Sequence, residues 1–242
     1  MSYIFREHIK QSLAVIALLI TLTACTSESY DAGDGPNSYL TADLVLLHTS
    51  QDKSVRSALL DDGTTLQFSN PFAQDWLTRP DSVYRALLYY DKTVAASAAA
   101  ASNPTATSIV RARSVRPVSV LRPVEAEDME TLRTDPVGFE SIWLSKNKSY
   151  INLSLLLKSG KTEADDALHA LGIVSHGTTT DADRRRTLHL TLYHDQGGVP
   201  AYYTVQQYVS IPTQLLEEAD TVELTLNTYN GKKIVKVAVS NL

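Results

Sequence analysis

The sequence predicts an all-β protein: a small N-terminal OB-like barrel followed by a C-terminal antiparallel β-sandwich. Three observations carry the prediction. Apolar residues alternate with period two in segment after segment, as in "YINLSLLLK" (150–158), "TLHLTLYHD" (187–195) and "TVELTLN" (221–227). Turn signals such as Asp61-Asp62-Gly63 and Asn230-Gly231 separate those segments. A charged stretch without alternation, "VEAEDMETLRTDPVG" (124–138), divides the strands into two groups.

The first residues carry an address. Arg6 and Lys10 precede an uncharged apolar run, Leu13–Leu22, and then Leu22-Thr23-Ala24-Cys25. That order is an export signal, and its apolar run is far shorter than the ~20 residues that cross a bilayer. The four residues ending on Cys25 look like a bacterial lipobox, in which the thiol takes diacylglycerol and the chain is cut before it. The alternative is a free thiol closing an ordinary signal peptide. Cys25 is the only cysteine of 242 residues, so no disulfide forms within one chain. Residues 1–24 are read as signal peptide and 25–37 ("CTSESYDAGDGPN") as a flexible tether. Thr26 stands where an Asp would mark inner-membrane retention, so a lipid-anchored outer-membrane protein is expected, facing the periplasm or the surface. The net charge of −5 argues against general nucleic-acid binding.

The barrel domain is expected over 38–123. "YLTADLVLLHTS", the hairpin "SVRSALL-DDG-TTLQFS", "SVYRALLYYD" (82–91) and "SIVRARSVRPVSVL" (108–121) supply about five strands. The alanine-rich 93–106 between the last two reads as a short helix ended by Asn103-Pro104. Alternation alone does not fix strand order.

Residues 124–137 are expected to be a linker and 138–242 a sandwich of about seven strands. Leu153, Leu155 and Leu157 share one face; so do Leu188, Leu190 and Leu192, and Val222, Leu224 and Leu226. Asn230-Gly231 is the preferred pair for a two-residue hairpin loop. That loop would pair Tyr229 with Lys232, Leu226 with Val235, Leu224 with Val237 and Val222 with Val239.

The lipobox and polar tether, an N-terminal β-module, the Trp-bearing "DPVGFESIWLSKNKSYINLSLLL" (135–157) and "LTLYHD" (190–195) together resemble the NigD-like lipoproteins of Bacteroidota. The resemblance implies an OB-like domain before a β-sandwich, an envelope lipoprotein, and an association with bacteriocin production or immunity. It supplies no catalytic residue.

The residues themselves offer little chemistry. His189 and His194 stand five apart on one strand, on opposite faces, as do His169 and His176 at spacing seven, so no metal site is expected. There is no G-x-S-x-G elbow, and "SGKT" (159–162) has Leu155 where a P-loop needs its first glycine. Asp165-Asp166 and Glu217-Glu218 read as solvated loop residues. No catalytic residue and no cofactor are assigned. The unusual feature is "RARSVRPVSVLR" (111–122), in which Arg111 and Arg113 share a face and Arg116 points the other way. Arg111 and Arg113, with Tyr84 and Tyr89 of the preceding strand as aromatic platforms, form the candidate ligand surface. Asp81-Ser82-Val83 and Asp220-Thr221-Val222 resemble O-glycosylation acceptors and read equally as strand starts. A non-enzymatic interaction module with a protein or glycan partner in the envelope is the expectation, a glycan-binding accessory lipoprotein the alternative.

Overall fold

The computed structural model describes residues 40–92, 108–161, 168–216 and 219–239. Residues 1–39 with Cys25, the alanine-rich run 93–106 and the pairs Asp165-Asp166 and Glu217-Glu218 lie outside them. Leu40–Leu242 is one compact unit.

Five strands close a barrel: β1 (Leu40–Thr49), β2 (Val55–Leu60), β3 (Thr65–Phe72), β4 (Val83–Lys92) and β5 (Ser108–Pro117). Their order is β1-β2-β3-β5-β4, β4 returning to β1, with β3 and β5 parallel and the other pairs antiparallel. Closure leaves no barrel edge unpaired. Alternate residues point inward, so Val45, Leu47, Ala58, Leu66, Ala86, Leu88, Tyr90 and Val110 make the barrel core.

Among the described residues the sandwich has nine strands. One sheet runs β14-β13-β11-β10-β7, the other β6-β12-β9-β8. Here β8 is Gly138–Leu144, β9 Tyr150–Ser159, β10 Ala170–Thr180, β11 Arg186–Asp195, β12 Tyr203–Pro212, β13 Thr221–Thr228 and β14 Gly231–Ala238. The three leucine and valine rows read from the sequence do meet between the sheets, joined by Ile151, Ile173, Val209 and Ile211.

The remaining two strands correct the expected boundary. β6 (Ser119–Val120) pairs in parallel with β12, and β7 (Pro123–Glu125) pairs in parallel with β10. Residues assigned to the end of the barrel and the start of a linker therefore supply an edge strand to each sandwich sheet. Leu121 between them is 6% exposed, sits in the sandwich core, and its N–H donates to the Ser210 carbonyl. Of the expected linker, Ala126–Asp128 is a single 3-10 turn. Val137 is wholly buried, its N–H bound to the Asn227 carbonyl.

The last hairpin also differs from expectation. Tyr229 and Asn230 form its loop, so Thr228 faces Gly231, Leu226 faces Lys233, Leu224 faces Val235 and Val222 faces Val237. Asn230 keeps a negative φ and only Gly231 takes a positive one, at 101°. A type I′ turn on Asn230-Gly231 needs both positive; a type I turn followed by a left-handed glycine needs one. Thr228 fixes this choice, since its Oγ1 accepts the Asn230 N–H and donates to the Gly231 carbonyl. The shift is even, so Val235 and Val237 keep their core-facing side.

Candidate functional site

The four residues of the expected ligand surface do not come together. Tyr84 and Tyr89 stand five apart on β4, an odd spacing that sends them to opposite faces. Tyr84 packs toward the barrel core, edge-on to Trp76 at 5.8 Å, and its hydroxyl accepts the Arg79 N–H at 2.7 Å. Arg111 and Arg113 line a separate cleft of about 200 Å³ with Ser69, Asn70 and Phe72. Arg113 is paired there with Asp91 at 2.5 Å. β5 bulges at Arg113: Ala112 faces Tyr90 while Ser114 faces Tyr89. The extra residue restores Arg116 to the outer face that Arg111 occupies, against the expectation of opposite faces. Of the acceptor-like triplets, Ser82 donates to the Pro80 carbonyl, and Thr221 opens β13 opposite Thr187.

Tyr89 instead joins a cleft the sequence did not reveal, at the junction of barrel and sandwich. The outer face of β4 presents Arg85, Leu87 and Tyr89 to the outer face of β9 and β12. Arg85, 5% exposed, anchors the contact. Its guanidinium holds both Asp61 oxygens at 2.6 and 2.7 Å, donates to Ser210 Oγ at 3.1 Å and to Asn152 Oδ1 at 3.0 Å, and stacks over Tyr150 at 4.3 Å. Asn152 returns a hydrogen bond to Asp61, and Ser210 donates to Asn152. A buried charge is tolerable only when so fully paired. Asp61 comes from the β2–β3 turn, where Gly63 (φ 89°) closes the loop that aims it.

Beside this anchor the junction opens. One lobe of about 250 Å³ lies between Leu44, Asp61, Leu87, Tyr89, Trp143 and Tyr208. An adjoining lobe of about 260 Å³ shares Leu87, Tyr89 and Tyr208 and adds Arg116, Gln206 and Gln207. Trp143 and Tyr208 meet edge to face at 6.4 Å. Behind them Glu140 accepts hydrogen bonds from Ser154 and Gln206, which hold its carboxyl below the usual range. Three aromatic rings, an arginine and two amides around one concavity suit recognition of a ligand with both apolar faces and hydrogen-bonding edges.

The histidines show a contact that spacing could not reveal. His169 Nδ1 lies 2.9 Å from Nε2 of His194, the rings stacked at 5.2 Å. Nδ1 of His194 faces the Asp135 carbonyl at 2.9 Å, so it carries the proton, and His169 is the donor between the rings. Nε2 of His169 is buried with no hydrogen-bond partner among the described residues, and burial followed by the His194 charge lowers the His169 pKa. His189 faces outward, bound to Thr179 and Glu223. Among the described residues no three His, Cys, Asp or Glu side chains converge as metal ligands, and no helix is long and apolar enough to cross a membrane.

Comparison with known proteins bears on the sandwich first. Residues 120–239 match the family described as the NigD-like C-terminal beta sandwich domain. Its start at residue 120 agrees with β6 as the first sandwich strand. Among solved structures, a NigD-like immunity protein from Bacteroides caccae is similar, with TM-score 0.59 and 23% identity over 81% of this chain and 91% of that one. A protein described as toxin-related from Parabacteroides distasonis has TM-score 0.55 and 19% identity over 82% and 92%. One described as a lipoprotein from Bacteroides fragilis has TM-score 0.57 and 12% identity over 84% and 99%. At these identities the likeness is one of fold, and it extends through the barrel. No curated protein matches the chain.

Proposed function

The chain belongs, through its C-terminal sandwich, to the NigD-like family, and from that premise we propose that it is a lipid-anchored, non-enzymatic binding protein of the outer membrane. The supporting observation is the junction cleft, where Tyr89, Trp143 and Tyr208 surround a concavity built on the fully paired Arg85. A ligand seated there touches both modules, whose relative position the Arg85 network fixes. The cleft offers ring faces and amides and brings no nucleophile beside a general base. Cys25 supplies the anchor: two or more acyl chains give stable attachment, because each buried methylene is worth ~0.8 kcal/mol.

The partner is a protein or a glycan of the envelope. The solved relatives described as immunity and toxin-related proteins support a bacteriocin-linked protein partner. The clustering of aromatic rings with Gln206 and Gln207 supports the glycan alternative. Metabolic labelling with a palmitate analogue will mark the wild type and not Cys25→Ala; equal labelling of both would overturn the anchor. For the cleft, the full chain in detergent is applied to a glycan array and, separately, cross-linked in its native envelope. Tyr208→Ala will lose at least one partner that the wild type retains. A partner held equally by wild type and Tyr208→Ala would place binding elsewhere.

A further inference from the structure

A second concavity lies at the open side of the sandwich, where the β13–β14 hairpin meets the start of β8. It encloses about 420 Å³ between Phe139, Leu156, Tyr229, Lys232 and Lys233. That is within the range of small-molecule sites. Two glycines shape it. At Gly138 a Cβ would stand 2.7 Å from the Leu156 Cβ, so only glycine lets β8 lie this close to β9 on the cleft floor. At Gly231 the surroundings are open, which leaves the mouth clear.

The charge around this cleft is one-sided. Lys233 Nζ sits 4.6 Å above the Phe139 ring, and Lys158 Nζ 5.8 Å from the Tyr229 ring centre. Lys158 also donates to Thr204, and its backbone N–H to the Tyr229 hydroxyl, which fixes that ring. Among the described residues no carboxylate pairs with Lys158, Lys232 or Lys233. Lys236, on the same strand as the last two, does have one, Glu223 at 3.0 Å. A chain of net charge −5 thus places Lys232 and Lys233 on the lining of one cleft and Lys158 against its Tyr229 ring, with no acidic partner for any of them among the described residues. Such an arrangement fits a ligand that is apolar on one face and anionic at its edge.

The geometry points to an acidic saccharide as that ligand, its ring face on Phe139 or Tyr229 and its carboxylate or sulfate on Lys158 and Lys233. A sugar ring presents C–H groups on one face and its acidic substituent at the rim, the division this cleft makes between rings and lysines. The site is distinct from the junction cleft and does not depend on it.

The test is calorimetric titration of the full chain in detergent with four probes of similar length: a hyaluronan oligosaccharide, a sulfated chondroitin oligosaccharide, a neutral chitin oligosaccharide and a single-stranded oligonucleotide. At least one acidic probe will bind and the neutral one will not, and binding will weaken several-fold between about 50 and about 500 mM salt. Lys158→Gln and Lys233→Gln will each weaken it by roughly tenfold, while Lys236→Gln, whose ammonium is already paired with Glu223, leaves it unchanged. The two acidic arms separate carboxylate from sulfate recognition. Equal binding of the neutral probe, equal binding of a single-stranded oligonucleotide, insensitivity to both lysine variants, or no binding of either acidic probe would each overturn the assignment. Loss in Tyr208→Ala with retention in the lysine variants would move acidic-glycan binding to the junction and refute this site alone.

Discussion

Replacing Asp61 by alanine strips two charge-assisted hydrogen bonds from a guanidinium whose side chain is 1% exposed. Only two neutral acceptors, Asn152 Oδ1 and Ser210 Oγ, then remain to Arg85. An unbalanced buried charge of this kind costs about 3–5 kcal/mol. Arg85→Met removes the charge instead. Asp61, 20% exposed, can then take water, while Asn152 still donates to it and Ser210 to Asn152. That loss is smaller, about 1–2 kcal/mol, the net worth of one or two hydrogen bonds. The double variant should resemble Arg85→Met, which makes the coupling energy equal to the whole Asp61→Ala cost, roughly 3–5 kcal/mol. Urea unfolding of residues 40–242, followed by tryptophan emission and far-ultraviolet circular dichroism, measures all four corners of the cycle. The exposed pair Arg56–Asp52, 64% and 61% accessible, serves as a control whose removal should leave the urea midpoint nearly unchanged. Equal losses in Asp61→Ala and Arg85→Met, or additivity in the double variant, would refute the reasoning that the junction is held by a buried, mutually dependent pair.

Leu224, 1% exposed in the sandwich core, should lose about 2–5 kcal/mol on truncation to alanine; a loss below about half a kcal/mol in the same assay would mean that its face is not packed. A fragment of residues 118–242 should unfold cooperatively in urea. One of residues 136–242, lacking β6, Leu121 and β7, should be less stable by at least ~2 kcal/mol; equal midpoints would show that the edge strands add nothing. The depressed His169 pKa gives the unfolded chain the greater proton affinity at this group. Its contribution is therefore intact above the unfolded value near 6.5 and is lost as pH falls below it. His169→Phe should flatten the decline in urea midpoint between pH 7.5 and 5.5, and an unchanged slope would remove His169 as its source.

The strands were legible because a half-buried strand must alternate, and Leu188-Leu190-Leu192 or Val222-Leu224-Leu226 leave no other face to bury. Alternation names a strand's face and not its neighbour. The parallel pairings of β7 with β10, β6 with β12 and β11 with β13 therefore left no trace in the sequence. β6 and β7 are two and three residues long, too short for any period, and β7 opens with a proline that suits only an edge. The candidate surface failed for two different reasons. The odd spacing of Tyr84 and Tyr89 already excluded a shared platform, whereas the pairing of β3 with β5 that sets Arg111 and Arg113 in a cleft of their own beside Ser69 and Asn70 had no sequence signal. Arg85 reads as one more outward polar residue on β4. Its partners Asn152 and Ser210 lie on strands 67 and 125 residues away, which local pattern cannot join to it. His169 and His194 likewise sit in separate segments, and only the pairing of β10 with β11 brings them together.

The 125-residue separation between Arg85 and Ser210 bears on how the chain matures. Contacts this distant in sequence form late, after the costlier loops have closed. A barrel that closes ahead of the sandwich presents Arg85 and Asp61, hydrated and charged, on the surface that will later be covered. An apolar seam in the same place would be adhesive throughout that interval toward other chains still unfinished. By joining its halves through a guanidinium and a carboxylate, the protein keeps the waiting surface soluble and becomes cohesive there only when Asn152 and Ser210 arrive.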